Sequence, residues 1–148
     1  MPGLNNNMVC QVGLVVRNIE ETARQWAKLL EMEVPPVMIT GPQEEAHTEY
    51  RGQGTAARAK LAFIPMGQIT IELIEPGPEP STWREFLDTH GQGIHHIAFQ
   101  IKGMKQTIEF LGEQKMPMVQ KGDYQGGRYA YIDGIAQLGT ILELLEND

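Results

Sequence analysis

The sequence predicts an α+β fold in which two repeated βαβββ modules form one curved mixed sheet, a cup with helices on its outer face. Three observations lead there. Two short apolar runs, residues 9–16 and 94–101, each lead into a helix-patterned segment of similar length, and three further strand-like runs follow each helix. The closing strands, 68–75 and 139–146, align with Glu72 on Glu143, an offset of 71 residues. The opening strands align with Gln11 on His96, an offset of 85. The 14 surplus residues of the first half must lie between its helix and its last strand. Residues 41–56 occupy that place and are polar, rich in Gly and Glu and without periodicity, as expected of a long loop.

Residues 9–16 are branched and apolar, as a buried strand requires. Asn18 is placed to cap a helix over 19–31, where Ile19, Ala23, Trp26, Ala27 and Leu30 recur at helical spacing and make one core-facing stripe. Residues 34–40 contain Pro35 and Pro36, which remove ladder donors and leave an edge strand or an extended segment. Residues 57–64 and 68–75 form a hairpin around Pro65, Met66 and Gly67. The stretch from Pro76 to Pro80 holds three prolines and reads as a linker, after which Ser81 caps a short helix leading to Gly91. The second half repeats the plan: strand 94–101, a helix over 104–114 with Met104, Ile108 and Leu111 on one face, an extended segment 116–121, a Gly-rich loop 122–127, and strands 128–133 and 140–145. The expected organisation is a single domain over 1–148, with a first module at 8–76, a linker with its short helix at 77–93 and a second module at 94–146.

With 148 residues, 41% of them apolar and 21% charged, the chain can bury one sizeable core. Twelve basic against nineteen acidic residues give a net charge of −7, which argues against nucleic acid or an anionic membrane as a partner. Cys10 is the one cysteine, so there is no intrachain disulfide; it reads as a small core residue in a reducing compartment. Residues 1–7 lack the basic start and apolar core of a signal peptide, and no apolar run approaches the ~20 residues of a membrane span. A soluble cytoplasmic protein is expected.

Side chains alternate along a strand, so Gln11 shares a face with Gly13 and Val15, and His96 shares one with Ala98 and Gln100. The opposite sets pack on the helices: Cys10, Val12 and Leu14 from the first strand, and His95, Ile97 and Phe99 from the second. Glu72 and Glu143 each sit between two apolar neighbours that anchor their strand, which turns both carboxylates to the non-helix face. Gln11, Glu72, His96 and Glu143 can therefore converge if the modules curve together. Buried carboxylates must be paired, protonated or bound to a cation. One imidazole, two carboxylates and an amide oxygen suit a divalent ion such as Ni, Co, Mn, Mg or Zn. The repeat-equivalent Gly13 and Ala98, next on the same face, either leave space above the ion or permit close packing between strands. Arg58, Lys60 and Arg128 read as solvated strand-end charges, and His47 as exposed.

This plan, with candidate ligands on the first and last strands of each half, resembles the vicinal oxygen chelate superfamily, which includes glyoxalase I, methylmalonyl-CoA epimerase, extradiol dioxygenases and bleomycin-resistance proteins. The resemblance covers residues 8–146. Glu85, Phe86 and Leu87, then the run from Gly91 to Phe99, are most similar to the methylmalonyl-CoA epimerase branch, as are residues 69–76, Gly127, Arg128 and residues 139–144. The resemblance implies metal ligands at Gln11, Glu72, His96 and Glu143. The epimerases generally have His where Gln11 stands, and the Gln, Glu, His, Glu set resembles glyoxalase I instead. Both branches take a proton from the carbon beside a metal-held oxygen. The implied catalytic groups are Glu143 as base and Glu72 opposite it. The expected reaction is epimerisation of methylmalonyl-CoA or a similar acyl-CoA thioester. A glyoxalase I-type reaction on a thiol adduct is the alternative, and metal-free small-molecule binding of the bleomycin-resistance kind is the second. A homodimer is also expected.

Overall fold

The computed structural model describes residues 3–148. In chain order the elements are β1 (Gln11–Val15), α1 (Ile19–Leu30), β2 (Met38–Ile39), α2 (Gln43–Ala46), β3 (Glu49–Tyr50), β4 (Gln53–Gly54), β5 (Ala59–Pro65), β6 (Thr70–Pro76), α3 (Thr82–His90), β7 (Gly93–Gln100), α4 (Met104–Glu113), β8 (Met118–Tyr124), β9 (Gly127–Gly134), α5 (Ile135–Leu138) and β10 (Thr140–Asn147). The strands join one sheet in the order β2-β5-β6-β1-β7-β10-β9-β8-β3-β4. At its centre β1 and β7 run antiparallel, while β6 lies parallel to β1 and β10 parallel to β7. The result is a curled mixed sheet with few helices, an α+β fold.

The two offsets read from the sequence reappear as a local two-fold relation in the register. Gln11 faces Ala98 and Gly13 faces His96, a pairing that maps onto itself when each half is exchanged for the other. Gly13 stands beside Glu72 as Ala98 stands beside Glu143, and Gln11 beside Thr70 as His96 beside Ile141.

The outer face is covered by two helices. Ile19 and Ala23 of α1 pack with Val16, Ala62, Ile64 and Leu73, whereas Met104 and Leu111 of α4 pack with Phe99, Ala130, Ile132, Leu142 and Leu144. α1 starts where expected: the Asn18 side chain accepts from the Glu21 N–H, and Glu75 Oε1 accepts from the Ile19 N–H at 2.9 Å. The Ser81 hydroxyl likewise accepts from the Arg84 N–H and starts α3. That helix goes inward, not outward. Its Trp83 and Leu87 pack with Val15, Ile74, Tyr131 and Ile141, filling one end of the cup's inner face. No helix among the described residues is long and apolar enough to cross a membrane.

Two expectations are corrected. Residues 41–56 are not one loop, because they hold α2 and the small hairpin β3–β4, which reaches the far edge of the sheet and pairs Glu49 with Lys121 and Tyr50 with Gln120 of β8. Elements of two to four residues carry no periodicity, and their order comes from a strand edge remote in sequence. The Gly-rich stretch 122–127 is also mostly strand. Gly122 lies within β8 because the Tyr129 ring occupies the place of a side chain there; a Cβ would stand 2.7 Å from Tyr129 Cε1. The edge strand at 34–40 shrinks to Met38 and Ile39, after the two prolines.

Replacing Asn18 with Ala should cost about 1 kcal/mol in denaturant unfolding. Unchanged stability would mean that the Glu75 carboxylate alone serves the helix start.

Candidate metal centre

Cα atoms on strands two places apart in a sheet are about 10 Å apart, so their side chains meet only if the strand between offers no obstacle. Glu72 of β6, Gly13 of β1 and His96 of β7 form one such row. Gly13 supplies the gap. A Cβ at this position would lie 2.1 Å from His96 Cε1 and within 2.6 Å of both ring nitrogens. The imidazole therefore lies across β1, with Nε2 3.4 Å from Glu72 Oε1 and 3.1 Å from Glu143 Oε1. Of the two readings of Gly13, close packing is the observed one: the space is filled by the His96 ring. The related row holds Gln11, Ala98 and Glu143. Gln11 is half-buried and by register lies on the same face as Gly13.

His96 is fully buried, Glu143 is 4% exposed and Glu72 is 7% exposed. Their three candidate ligand atoms lie within 4.8 Å of one another. Yet Glu72 Oε1, His96 Nε2 and Glu143 Oε1 have no properly aligned hydrogen bond among the described residues. Leaving such atoms unsatisfied costs about 1–3 kcal/mol each, and more when charged. Burial works against charge on His96, but the Glu143 and Glu72 carboxylates outweigh it and hold the imidazole at about 9. Burial raises the Glu72 carboxyl, opposed by His96 and reinforced by the charge of Glu143. A divalent cation fits this set: it balances two carboxylates around a neutral imidazole and gives all three orphaned atoms a partner.

His95 departs from the expected alternation. The β1–β7 register shifts between Gly13 and Leu14, so that Leu14 faces Ile94 and His95 is the extra residue of a β-bulge. Ile97 and Phe99 do pack on the α4 side. His95 instead lies edge-on to Phe86 and Tyr131, with Nδ1 2.8 Å from His96 Nδ1. Strand parity fails here because a bulge inserts one residue, and bulges leave no mark in an apolar run.

Sequence reasoning also passed over the aromatic wall of the cup. The Tyr131 ring lies 5.0 Å from that of His96, and its hydroxyl accepts from Trp83 Nε1 at 2.9 Å. Gln120 ties α3 to the same wall, accepting from the Thr82 N–H and donating to the Tyr129 hydroxyl. Tyr129 and Tyr131 alternate on one strand, a signal of a shared face that could have found them. The other singled-out residues stand apart. Lys60 pairs with Glu20 and Glu75, Arg128 with Glu146 and Asp148, and the Arg58 guanidinium donates to the Thr40 carbonyl. His47 is exposed and pairs with Asp123. Cys10 is only half-buried, with its thiol on the Ala98 carbonyl.

A cup of repeated strand-helix-strand units, with a buried Glu-His-Glu group where the halves meet, defines a class of proteins whose fold gathers chelating side chains from both halves of one chain. The chain belongs to the glyoxalase/bleomycin resistance protein/dioxygenase superfamily, whose family model matches residues 10–131. That match includes Gln11, Glu72 and His96 and ends before Glu143. The chain is 32% identical over 92 residues to the uncharacterized protein YqjC of Bacillus subtilis (strain 168), covering 60% of this chain and 66% of that protein. The chain thus spans just under two thirds of that relative's length. Its fold is similar to the crystal structure of hypothetical protein BH1468 from Bacillus halodurans C-125, with a TM-score of 0.66 and 22% identity over 95% of this chain and 94% of that one. It is also similar to methylmalonyl-CoA epimerase from Mycobacterium tuberculosis, with a TM-score of 0.64 and 21% identity over 98% and 93%. At these identities the likeness to both structures is one of fold.

Two expectations test the centre. Gly13→Ala should drive the imidazole out of its place and abolish binding of added Ni²⁺ or Co²⁺; retained binding would mean that His96 is not held over β1. Below about pH 9 the wild-type His96 carries a proton that the ion must displace. Calorimetry in several buffers should therefore show about one proton released per ion near neutral pH, with apparent affinity rising roughly tenfold per pH unit. An affinity independent of pH between about 6 and 8 would remove His96 from the ligand set.

Proposed function

We propose that the protein catalyses divalent-metal-dependent proton transfer at the carbon beside a carbonyl, with methylmalonyl-CoA or a similar acyl-CoA thioester as substrate and epimerisation as the outcome. The observation that carries this reading is the pair of buried carboxylates, one from each half of the chain, that both approach His96 Nε2. Gln11, Glu72, His96 and Glu143 would hold the ion, which when bound stabilises negative charge developing on a substrate oxygen.

The chain's own residues do the rest. Glu143 takes the proton from carbon, and Glu72 serves the opposite face of the substrate, so that a proton removed on one side can be returned on the other. The local two-fold relation between Gly13–Glu72 and Ala98–Glu143 supports that division of labour, since it presents equivalent carboxylates from opposite halves. Burial raises the Glu72 carboxyl and so strengthens it as a base. Trp83, Phe86 and Tyr131 close one end of the cup. The fold shared with an epimerase adds support from analogy alone.

Gln11 supports a second reading. A neutral amide in the first ligand position matches the glyoxalase I set better than the epimerase set, which favours a thiol hemithioacetal as substrate. Both readings use the same proton transfer, so the substrate separates them. Purified protein supplied with Co²⁺ should exchange the α-proton of methylmalonyl-CoA for deuterium; conversion of a hemithioacetal without that exchange would select the glyoxalase-type reaction. Tight binding of such compounds with no exchange under any of several divalent ions would identify a binding protein.

Glu143→Gln keeps shape and an oxygen donor but removes basicity, and should reduce exchange by about 10²–10⁴-fold while the fold survives. Glu72→Gln should impair exchange less, or from one stereoisomer preferentially. Equal, small losses in both variants would place the base elsewhere.

A further inference from the structure

Two ring nitrogens 2.8 Å apart require one proton between them, and the His95 Nδ1–His96 Nδ1 contact is such a pair. The geometry points to His95 as a positioning residue: its Nδ1 lone pair accepts the His96 Nδ1–H and so fixes the tautomer in which the His96 Nε2 lone pair faces Glu72 and Glu143. This rests on the reading of His96 as a metal ligand and adds a group that the ligand set does not contain. A ligating imidazole is normally held by a hydrogen bond from its other nitrogen, usually to a carboxylate or carbonyl. Here a second histidine takes that role.

The local structure supports the assignment in two ways. The β-bulge between Gly13 and Leu14 brings consecutive histidines to one side of the strand, where regular alternation would send His95 to α4. The His95 ring is 2% exposed and is held edge-on by Phe86 at 5.3 Å and Tyr131 at 5.1 Å, so its plane is set by packing. The remaining proton then sits on His95 Nε2. That atom is buried without a well-aligned partner among the described residues.

The test is Co²⁺ titration, with the visible spectrum reporting coordination, on wild type, His95→Phe, His95→Asn and His96→Ala. His95→Phe keeps an aromatic ring but offers no acceptor, and should bind Co²⁺ about 10–100-fold more weakly. His95→Asn places an amide oxygen near the position of Nδ1 and should recover most of that loss. His96→Ala should lose binding altogether. Wild-type affinity in His95→Phe, with binding lost in His96→Ala, would overturn the positioning role and leave the metal centre intact. No Co²⁺ binding by wild type, or full binding by His96→Ala, would overturn both. If His95→Phe does not fold, ¹⁵N-histidine spectra of the wild-type protein decide: a proton on His95 Nε2 with a bare Nδ1 is expected, and a proton held on His95 Nδ1 overturns the assignment.

Discussion

The missing side chain at Gly13 is the constraint on which the centre depends. Glu72 and His96 belong to strands separated by β1, and they meet because nothing rises from β1 between them. The nearest approach of an added Cβ, 2.1 Å to the ring, is far inside any tolerable contact, and the obstacle it would meet is a fully buried imidazole. A glycine chosen for backbone freedom would sit in a turn. Gly13 sits in the middle of a central strand, where glycine weakens the ladder and its use is close approach.

Around that ring the structure gathers charge where water does not reach. Two carboxylates and one imidazole make a poor metal-free core, because burial penalises the charged forms of Glu72 and His96 alike. A purely structural polar cluster would be expected to satisfy its own atoms; this one leaves one atom of each residue without an aligned partner. The aromatic wall makes the same point from the other side. Trp83, Tyr129 and Tyr131 find partners for their polar ends in each other and in Gln120, whereas Glu72, His96 and Glu143 each keep an orphaned atom.

Much of this was legible beforehand. The offsets of 85 and 71 identified Gln11 with His96 and Glu72 with Glu143, and those identities hold as strand registers. The apolar stripes of α1 and α4, apart from Leu30, which the structure leaves exposed at the end of α1, and the caps at Asn18 and Ser81, are local signals that survive into the fold. Residues 41–56 were not legible: α2 and the β3–β4 hairpin are too short to carry a period, and what orders them is the open edge of β8. Nor was the inward turn of α3, since an amphipathic helix shows which of its sides is apolar and not which face of a sheet it will cover.

The sequence by itself determined the repeat and the strand faces, and so put Glu72, His96 and Glu143 on a common side, because alternation and internal similarity are properties of the chain alone. Only the tertiary structure decided how those residues meet. A bulge moved His95 from the α4 side to a place behind His96, and Gly13 became the gap through which one half's histidine reaches the other half's glutamate. Both depend on the register between strands more than eighty residues apart in the chain. Register is set by packing over the whole sheet, so one added residue changes what a side chain faces without changing the character of the strand.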